Sequence, residues 1–231
     1  MRKSLQLSLT AVFAALHTVL YFISFGLWRN WGIYLEAIEG IILGPKIGFL
    51  AALLGSSIAR MVKPDAFWMF GIIAEPVAVL MAGSLARAKW KPVLAAYVIM
   101  LSAYFIHPFG RALPVWTILD VLFALFLVYP AARFSKKLFK TDIKHLSMAV
   151  GFISFVCIAT DSLIRIFLLV PCGYSLFPEF FPSFDGLYLV FVGAAVDSYI
   201  EDAIVVIVSV LAGVPLLASV VKLKILERKY D

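Results

Sequence analysis

The side chains that could do chemistry in this chain are ionisable residues that interrupt long apolar stretches. There are ten of them: Glu36, Glu39, Arg60, Glu75, Asp120, Asp161, Arg165, Asp197, Glu201 and Asp202. A charge at the middle of a bilayer costs about 2.5–3.5 kcal/mol on insertion scales, so such residues usually face a partner or a water-filled cavity. The ten therefore predict a polar site inside a bundle of apolar segments.

The composition of the chain is that of an integral membrane protein. Of its 231 residues, 63% are hydrophobic and 15% are charged, and the mean hydropathy is +1.01. A soluble domain has about 45–50% apolar and about 25% charged residues. Residues 5–28 contain no Asp, Glu, Lys or Arg, a stretch long enough to cross a bilayer and too long for a removable signal peptide. We therefore predict an all-α, polytopic helical membrane protein with a single integral membrane domain over residues 1–231.

Charge-poor runs divide the chain into about eight segments, so we predict six to eight transmembrane segments. They cover residues 5–27, 32–44, 46–62, 67–86, 92–109, 113–132, 146–170 and 188–221. With the N-terminus inside, 15 of the 20 lysines and arginines fall on the cytoplasmic side, as the positive-inside rule requires. This distribution predicts cytoplasmic N- and C-termini in the cell membrane, and it explains the net charge of +6 by contact with the lipid bilayer, without nucleic acid.

The same topology places all ten ionisable residues in the outer half of the bilayer. Charges that serve only helix packing need not choose one leaflet, whereas a polar chamber open to the outside needs them there. Eight acids against two arginines leave an acidic balance. We therefore expect the chamber to bind a cationic or multiply hydrogen-bonding small-molecule solute.

Spacing within the helices indicates how some of these charges are balanced. Asp161 and Arg165 are four residues apart, so they share a helix face and can form a structural ion pair instead of binding solute. Asp197 and Glu201 also share a face, but two carboxylates repel, and burying both requires a cation, a proton or an arginine. Arg60 and Arg165 are the arginines available for this role.

Aromatic residues and a proline flank the predicted chamber. Trp28, Trp31 and Tyr34 lie at the first outer loop, either as an interfacial belt or as a stacking wall for a flat or cationic ring. Glu75 precedes Pro76, so this carboxylate stands beside a kink that is either functional or merely structural. The predicted substrate-binding residues are Trp31, Tyr34, Glu36, Glu39, Arg60, Glu75, Asp120, Asp161, Arg165, Asp197 and Glu201.

The chain lacks the motifs of common catalytic sites. It has no Walker A sequence, no H-E-x-x-H zinc motif and no G-x-S-x-G elbow. Cys157 and Cys172 do not form a metal-spaced pair. His17, His107 and His145 lie in separate segments, and each is expected to be a packing or interface residue. We therefore predict no catalytic residue, cofactor or metal site, and no ATPase activity of the chain itself.

Residues 35–60 form two apolar segments joined at Gly44-Pro45. Pro45 lacks a backbone donor and disfavours helix at the residue before it, so one helix is expected to end there and another to begin. Glycines at positions 40, 44, 48 and 55 allow a neighbouring backbone to come close, as small residues do in membrane helix pairs.

Two stretches resemble the substrate-binding S component of energy-coupling factor (ECF) transporters. One is the opening helix LSLTAVFAALHTVL, in which Ala11 and Ala15 form an A-x-x-x-A face, and the other is the glycine-proline pair EGIILGPKIGFLAALLGSSIAR. The resemblance covers residues 5–62, and it is loose in the final segment. Family members typically have six helices, so an extra hairpin is expected within 67–132.

The resemblance implies a function for the chain. ECF S components bind a vitamin, its precursor or a metal ion at the outer side, and they dock on a T-component transmembrane protein driven by two cytoplasmic ATPases. By this analogy Ala11 and Ala15 form the docking face, because small residues allow close helix approach. The alternative for these two alanines is ordinary packing inside the protein. The analogy also implies a solute pocket near the first outer loop and the outer ends of the later helices.

Two other classes of function stay open on the sequence. A self-sufficient secondary carrier, coupled to protons, would use the acids directly, although such carriers often show inverted repeats, and none is evident here. An intramembrane lipid-modifying enzyme would need a carboxylate cluster, for which Asp197, Glu201 and Asp202 come closest, and a basic phosphate clamp, which does not accompany them. For the solute, a cationic heterocycle of thiamine type is favoured over a metal ion, a peptide-like amine or a neutral vitamin.

Overall fold

The chain is helical through most of the residues that the computed structural model describes, which are 3–23, 30–64, 68–136, 138, 143–173 and 183–222. The helices are α1 (Lys3–Tyr21), α2 (Ile33–Leu43), α3 (Pro45–Val62), α4 (Trp68–Leu85), α5 (Trp90–Ile106), α6 (Pro108–Ala112), α7 (Leu119–Ser135), α8 (Ile143–Phe167) and α9 (Phe184–Lys222). A 3-10 turn, Val115–Ile118, leads into α7, and a π-helical turn, Leu168–Gly173, continues α8. No strand occurs in these ranges, which confirms the all-α prediction.

Several of the helices are suited to a membrane. In the described ranges, five are long and apolar enough to cross one: Lys3–Tyr21, Pro45–Val62, Val115–Ser135, Ile143–Cys172 and Phe184–Val221. The shorter α4 and α5 are apolar as well. The helices follow the predicted segments, with the five-residue α6 as an addition. The fold is therefore consistent with a multi-pass membrane protein. The predicted end of the first segment, 24–27, and the basic tail after 222 lie outside the described residues.

The predicted break at the glycine-proline pair separates α2 from α3. Leu43 is the last residue of α2, and Pro45 is the first of α3. Gly44 between them has a φ of +84°, which glycine adopts without the steric penalty of a Cβ atom. The turn therefore depends on both residues, because one supplies the positive φ and the other starts the next helix.

Glycines bring α2 against α4 and α3 against α1. A Cβ atom on Gly40 would lie 2.5 Å from the carbonyl oxygen of Val79 and 2.8 Å from the amide nitrogen of Gly83. A Cβ atom on Gly55 would lie 2.7 Å from the Cβ atom of His17. Both contacts are closer than a side chain allows, so the predicted close approach is confirmed at these two glycines.

Helix α8 lies at the centre of the bundle. It contacts α2, α4, α5, α7 and α9, and most of its length is buried. Its buried side chains include Asp161, one helical turn before Arg165. Since α2 and α4 carry Glu36, Glu39 and Glu75, the packing of α8 sets charges of both signs beside one another.

Candidate functional site

Helices α1, α2, α3, α4 and α8 bring ionisable side chains together at one end of the bundle. We call the following seven residues the charged cluster: His17, Glu36, Glu39, Arg60, Glu75, Asp161 and Arg165. Helices α1, α3 and α8 reach it with their C-terminal halves, and α4 reaches it with its N-terminal half. All members except Arg165 are buried. The cluster therefore draws on helices that are far apart in sequence.

Glu75 contacts side chains from several other elements in the charged cluster. Its Oε1 accepts a hydrogen bond from Arg60 Nη2 at 2.5 Å, and its Oε2 accepts one from Arg60 Nη1 at 3.0 Å, which makes the pair bidentate. Ser56 Oγ donates to Oε2 at 2.5 Å, and Asn30 Nδ2 donates to Oε1 at 3.5 Å. Arg165 Nη2 lies 3.6 Å from Oε1. Arg60 therefore compensates this buried carboxylate directly, and the Arg165 guanidinium lies nearby.

His17 connects two carboxylates of the cluster. Its Nδ1 lies 3.3 Å from Glu39 Oε2, and its Nε2 lies 3.1 Å from Glu75 Oε2. His17 is fully buried, in line with a packing residue, and in addition both of its ring nitrogens face acids, which was not predicted. A signal was present in the sequence: His17 is the lone ionisable side chain in an otherwise uncharged segment, and the rule applied to the acids also covers histidine.

Asp161 and Arg165 form the ion pair that their spacing predicts. Arg165 Nε donates to Asp161 Oδ2 at 2.7 Å, and Arg165 Nη2 donates to Asp161 Oδ1 at 3.2 Å. The same guanidinium also reaches Glu75. The pair is thus part of the charged cluster and not an isolated structural feature of α8.

Glu36 and Glu39 each have one oxygen without a hydrogen-bond partner among the described residues. These atoms are Oε1 of Glu36 and Oε1 of Glu39, and both side chains are fully buried. The Sγ atom of Cys157 makes a long contact of 3.9 Å with Glu36 Oε2. A buried acceptor without a donor is costly, so these two oxygens are the points at which the cluster can take up a further donor or cation.

The formal charge of the cluster depends on the protonation of its groups. Its four carboxylates and two guanidinium groups give −2 when all four carboxylates are ionised and the histidine is neutral. The arginines expected to neutralise Asp197 and Glu201 are engaged elsewhere, since Arg60 pairs with Glu75 and Arg165 with Asp161. Of the three alternatives for Asp197 and Glu201, an arginine is therefore the one that the described contacts of Arg60 and Arg165 do not supply.

Asp120, Asp197 and Glu201 lie on α7 and α9, two helices that also pack on α8. Asp120, at the start of α7, accepts a hydrogen bond from Ser198 Oγ of α9 at 3.4 Å. Glu201 is buried and Asp197 is half-buried on α9. None of the contacts described for the charged cluster involves these three acids. We call this second group of acids, with the α7 and α9 residues that contact it, the α7–α9 contact.

The aromatic residues of the first outer loop pack against the protein. The ring centroids of Trp31 and Tyr34 are 5.2 Å apart in an edge-to-face arrangement. Tyr34 is buried in a small apolar cluster with Ile158 and Val205, and Trp31 packs against that cluster. Tyr34 is therefore a core residue. Both alternatives from the sequence, an interfacial aromatic belt and a stacking wall, had placed it at a surface. Trp28 lies outside the described residues.

Ala11 and Ala15 lie on the surface of α1. Both are exposed, whereas Phe13, Ala14 and His17 on the same helix are buried. One expectation was that these alanines pack inside the protein. Their exposure contradicts it for the described part of the chain. Their exposure leaves the face free for lipid or for another membrane protein.

The fold and the site together define a helical protein suited to a membrane, with a buried, acid-rich charged cluster. No family model matches the chain, and no solved structure matches it. An uncharacterized protein of Methanocaldococcus jannaschii is 30% identical over 131 residues, which cover 56% of this chain and 44% of that protein. The chain thus matches less than half of the length of that relative.

Proposed function

We propose that this chain is the substrate-binding membrane subunit of an ATP-driven importer of the ECF type, which takes up a vitamin, a precursor or a similar micronutrient. The observation that carries the proposal is the charged cluster, in which four carboxylates face two arginines and one histidine. Charges at such depth are expensive, and in membrane proteins they usually line solute or ion pathways. An acidic excess favours a solute that brings positive charge.

The topology predicted from the basic residues indicates which side of the membrane the charged cluster faces. If both termini are cytoplasmic, the end of the bundle that holds His17, Arg60 and Glu75 faces outward. The chain would then sit in the cell membrane with six to eight spans and receive its solute from outside. A binding subunit for uptake requires this orientation.

The energy source is expected to lie in partner proteins. The chain has no Walker A motif, so ATP hydrolysis falls to two cytoplasmic ATPases coupled through a T-component transmembrane protein. The exposed Ala11 and Ala15 on α1 support this arrangement, because small exposed residues permit close contact with a partner helix.

A pull-down from native membranes tests this proposal. We expect the tagged chain to retain a T-type membrane protein and paired ATPases, identified by mass spectrometry. Replacing both alanines, Ala11→Leu with Ala15→Leu, should abolish this retention because the larger side chains hold the partner helix away. Ala212→Leu is the matched control, since Ala212 is exposed on α9 and should leave the complex intact.

The runner-up function is a self-sufficient, proton-coupled carrier. The position of His17 between Glu39 and Glu75 favours it, because imidazole and carboxylate groups relay protons in membrane carriers. Uptake that continues in ATP-depleted vesicles containing the purified chain alone would replace the importer proposal with this one.

A further inference from the structure

Three members of the charged cluster converge as metal ligands do. His17, Glu36 and Glu75 each offer one ligand atom, and these atoms all lie within 4.8 Å of one another. All three side chains are fully buried. A first-row metal binds nitrogen and oxygen ligands at about 2.0–2.2 Å, which separates ligand atoms by about 3–3.4 Å. A small contraction of the cluster would therefore complete a three-ligand site.

The charge balance of the cluster points to an occupant with two positive charges. The Arg60 guanidinium compensates Glu75, and the Arg165 guanidinium compensates Asp161. Glu39 faces the His17 imidazole, which carries no charge when neutral, and Glu36 has no described arginine or histidine partner. A buried charge without a partner costs several kcal/mol. A single divalent cation cancels both of these charges at once.

Unsatisfied atoms give an independent indication of the same occupant. Oε1 of Glu36 and Oε1 of Glu39 are buried and have no hydrogen-bond partner in the described part of the chain. Glu36 also lies within electrostatic range of Asp161 and Glu75. Carboxylates that crowd together in this way repel unless a cation or proton lies between them. The cluster therefore has both free lone pairs and a reason to bind a cation.

The types of ligand select among cations. Imidazole suits zinc, copper, iron and nickel, whereas sites built of oxygen alone suit magnesium and calcium. His17 supplies the nitrogen and Glu36 and Glu75 the oxygens, so the set resembles the mixed sites of transition metals. The spacing of 4.8 Å leaves room for a single ion and not for a heterocyclic ring.

We propose that His17, Glu36 and Glu75 bind one divalent first-row transition-metal ion, and that this ion is the solute of the proposed importer. Glu39 orients the imidazole through its contact of 3.3 Å with Nδ1. The remaining carboxylate charge of Glu39 balances the second charge of the ion. The proposal rests on the proposed function for the ion's role as cargo, but the binding itself does not depend on it.

Metal binding by the purified full chain tests the site directly. In nanodiscs, dialysed against Zn²⁺, Co²⁺, Ni²⁺ or Mn²⁺, we expect about one bound ion per chain for at least one of them, measured by elemental mass spectrometry. Mg²⁺ and Ca²⁺ should not bind at the same concentration. Glu36→Gln and His17→Gln should each weaken binding by at least about 10-fold. Asp185→Asn and His145→Gln are matched controls, since both residues lie away from the charged cluster and should leave affinity unchanged.

Thermal stability provides a readout that separates ligation from folding. A bound ion stabilises the folded state, so the metal should raise the melting temperature of the wild type and the two controls. The Glu36→Gln variant should show no such rise. In EDTA this variant should melt no lower than the wild type, because glutamine removes an uncompensated buried charge. A lower melting temperature of the variant in EDTA would overturn the charge argument.

The failures of the two proposals can be told apart. If the chain retains the T-type protein and ATPases but binds none of the four metals, the metal proposal is wrong and the importer proposal stands. If it binds metal through His17 and Glu36 but no ATPase accompanies it, the importer proposal is wrong. Binding that is equal in the wild type and Glu36→Gln would place any metal elsewhere and end the proposal.

Discussion

The charged cluster and the α7–α9 contact both contain acids, but their surroundings differ. In the charged cluster, Glu75 and Asp161 each face an arginine at hydrogen-bond distance. In the α7–α9 contact, a hydroxyl reaches the acid instead, from Ser198 to Asp120. The number of acids in a segment therefore does not locate a binding site. What marks the charged cluster is the convergence of opposite charges from several helices.

The two regions also differ in how their helices pack. Gly40 of α2 meets the backbone of α4, so a Cβ atom has no room there. Gly193 of α9 has nothing within 4 Å of the position of a Cβ atom. Tight backbone contact holds the charged cluster in place, whereas much of α9 lies at the surface. Substitutions should therefore have larger effects around the cluster than on α9.

The largest effect is expected on replacing the Glu75 carboxylate. Glu75→Gln leaves the Arg60 guanidinium buried without its counter-charge, and such a loss costs about 3–5 kcal/mol. Asp120→Asn should cost about 0.5–1.5 kcal/mol, because its described partner is a neutral hydroxyl. The measurement is the free energy of unfolding in detergent by denaturant titration. Equal losses at the two positions would remove the distinction between the regions.

A double variant sharpens the same comparison. Combining Glu75→Gln with Arg60→Gln removes both charges of the pair. Because neither is then left uncompensated, the double variant should lose less free energy than the sum of the two single losses. Additive losses would show that the pair does not act as a unit.

An intermediate effect is expected from the packing glycines. Gly40→Ala adds a Cβ atom 2.5 Å from the Val79 carbonyl oxygen. Overpacking of this kind costs about 1–3 kcal/mol. Gly193→Ala is the matched control, and it should be neutral or stabilising by up to about 1 kcal/mol, because alanine favours helix over glycine and space is open. Melting temperatures of the two variants would check this, and a stable Gly40→Ala protein would contradict the tight packing.

The smallest effect is expected in the α7–α9 contact. The Tyr199 hydroxyl donates to the carbonyl oxygen of Trp116 and accepts from the amide of Leu119 at 3.3 Å. Tyr199→Phe removes both bonds, but the site is partly exposed and water can replace them. We expect a loss of about 0.5–1 kcal/mol in unfolding free energy. A loss as large as that of Glu75→Gln would show that this contact stabilises the fold as much as Glu75 does.

Much of the helix order was predictable from the sequence. The break at Gly44-Pro45 follows from local chemistry. Glycine tolerates a positive φ and proline lacks a backbone donor, so no contact with another part of the chain is needed to predict it. Long uncharged runs predicted the helices for a similar reason, since a membrane leaves few alternatives to helix. The short α6 (Pro108–Ala112) was not predicted and falls mostly between two predicted segments, because five residues between two apolar runs carry no periodic signal.

The site was predictable in part. Burial of Glu36, Glu39 and Glu75 followed from the cost of charge in an apolar segment. Which acid each arginine neutralises could not be predicted, because Arg60 and Glu75 belong to different helices and their contact depends on how α3 packs on α4. Ser56 was missed for the same reason, since a serine in an apolar helix has no distinguishing pattern until its partner is known.

Arg165 is the member of the charged cluster at which we expect access from water to begin. Its side chain is 30% exposed, whereas those of Arg60 and Glu75 are 2% and 0% exposed. Its contact with Glu75 is 3.6 Å long, whereas its bond to Asp161 is 2.7 Å. The guanidinium can thus leave Glu75 while it stays bound to Asp161. Rotations of partly exposed side chains take picoseconds to nanoseconds, so access by this route is limited by one rotamer change and not by the slower separation of helices.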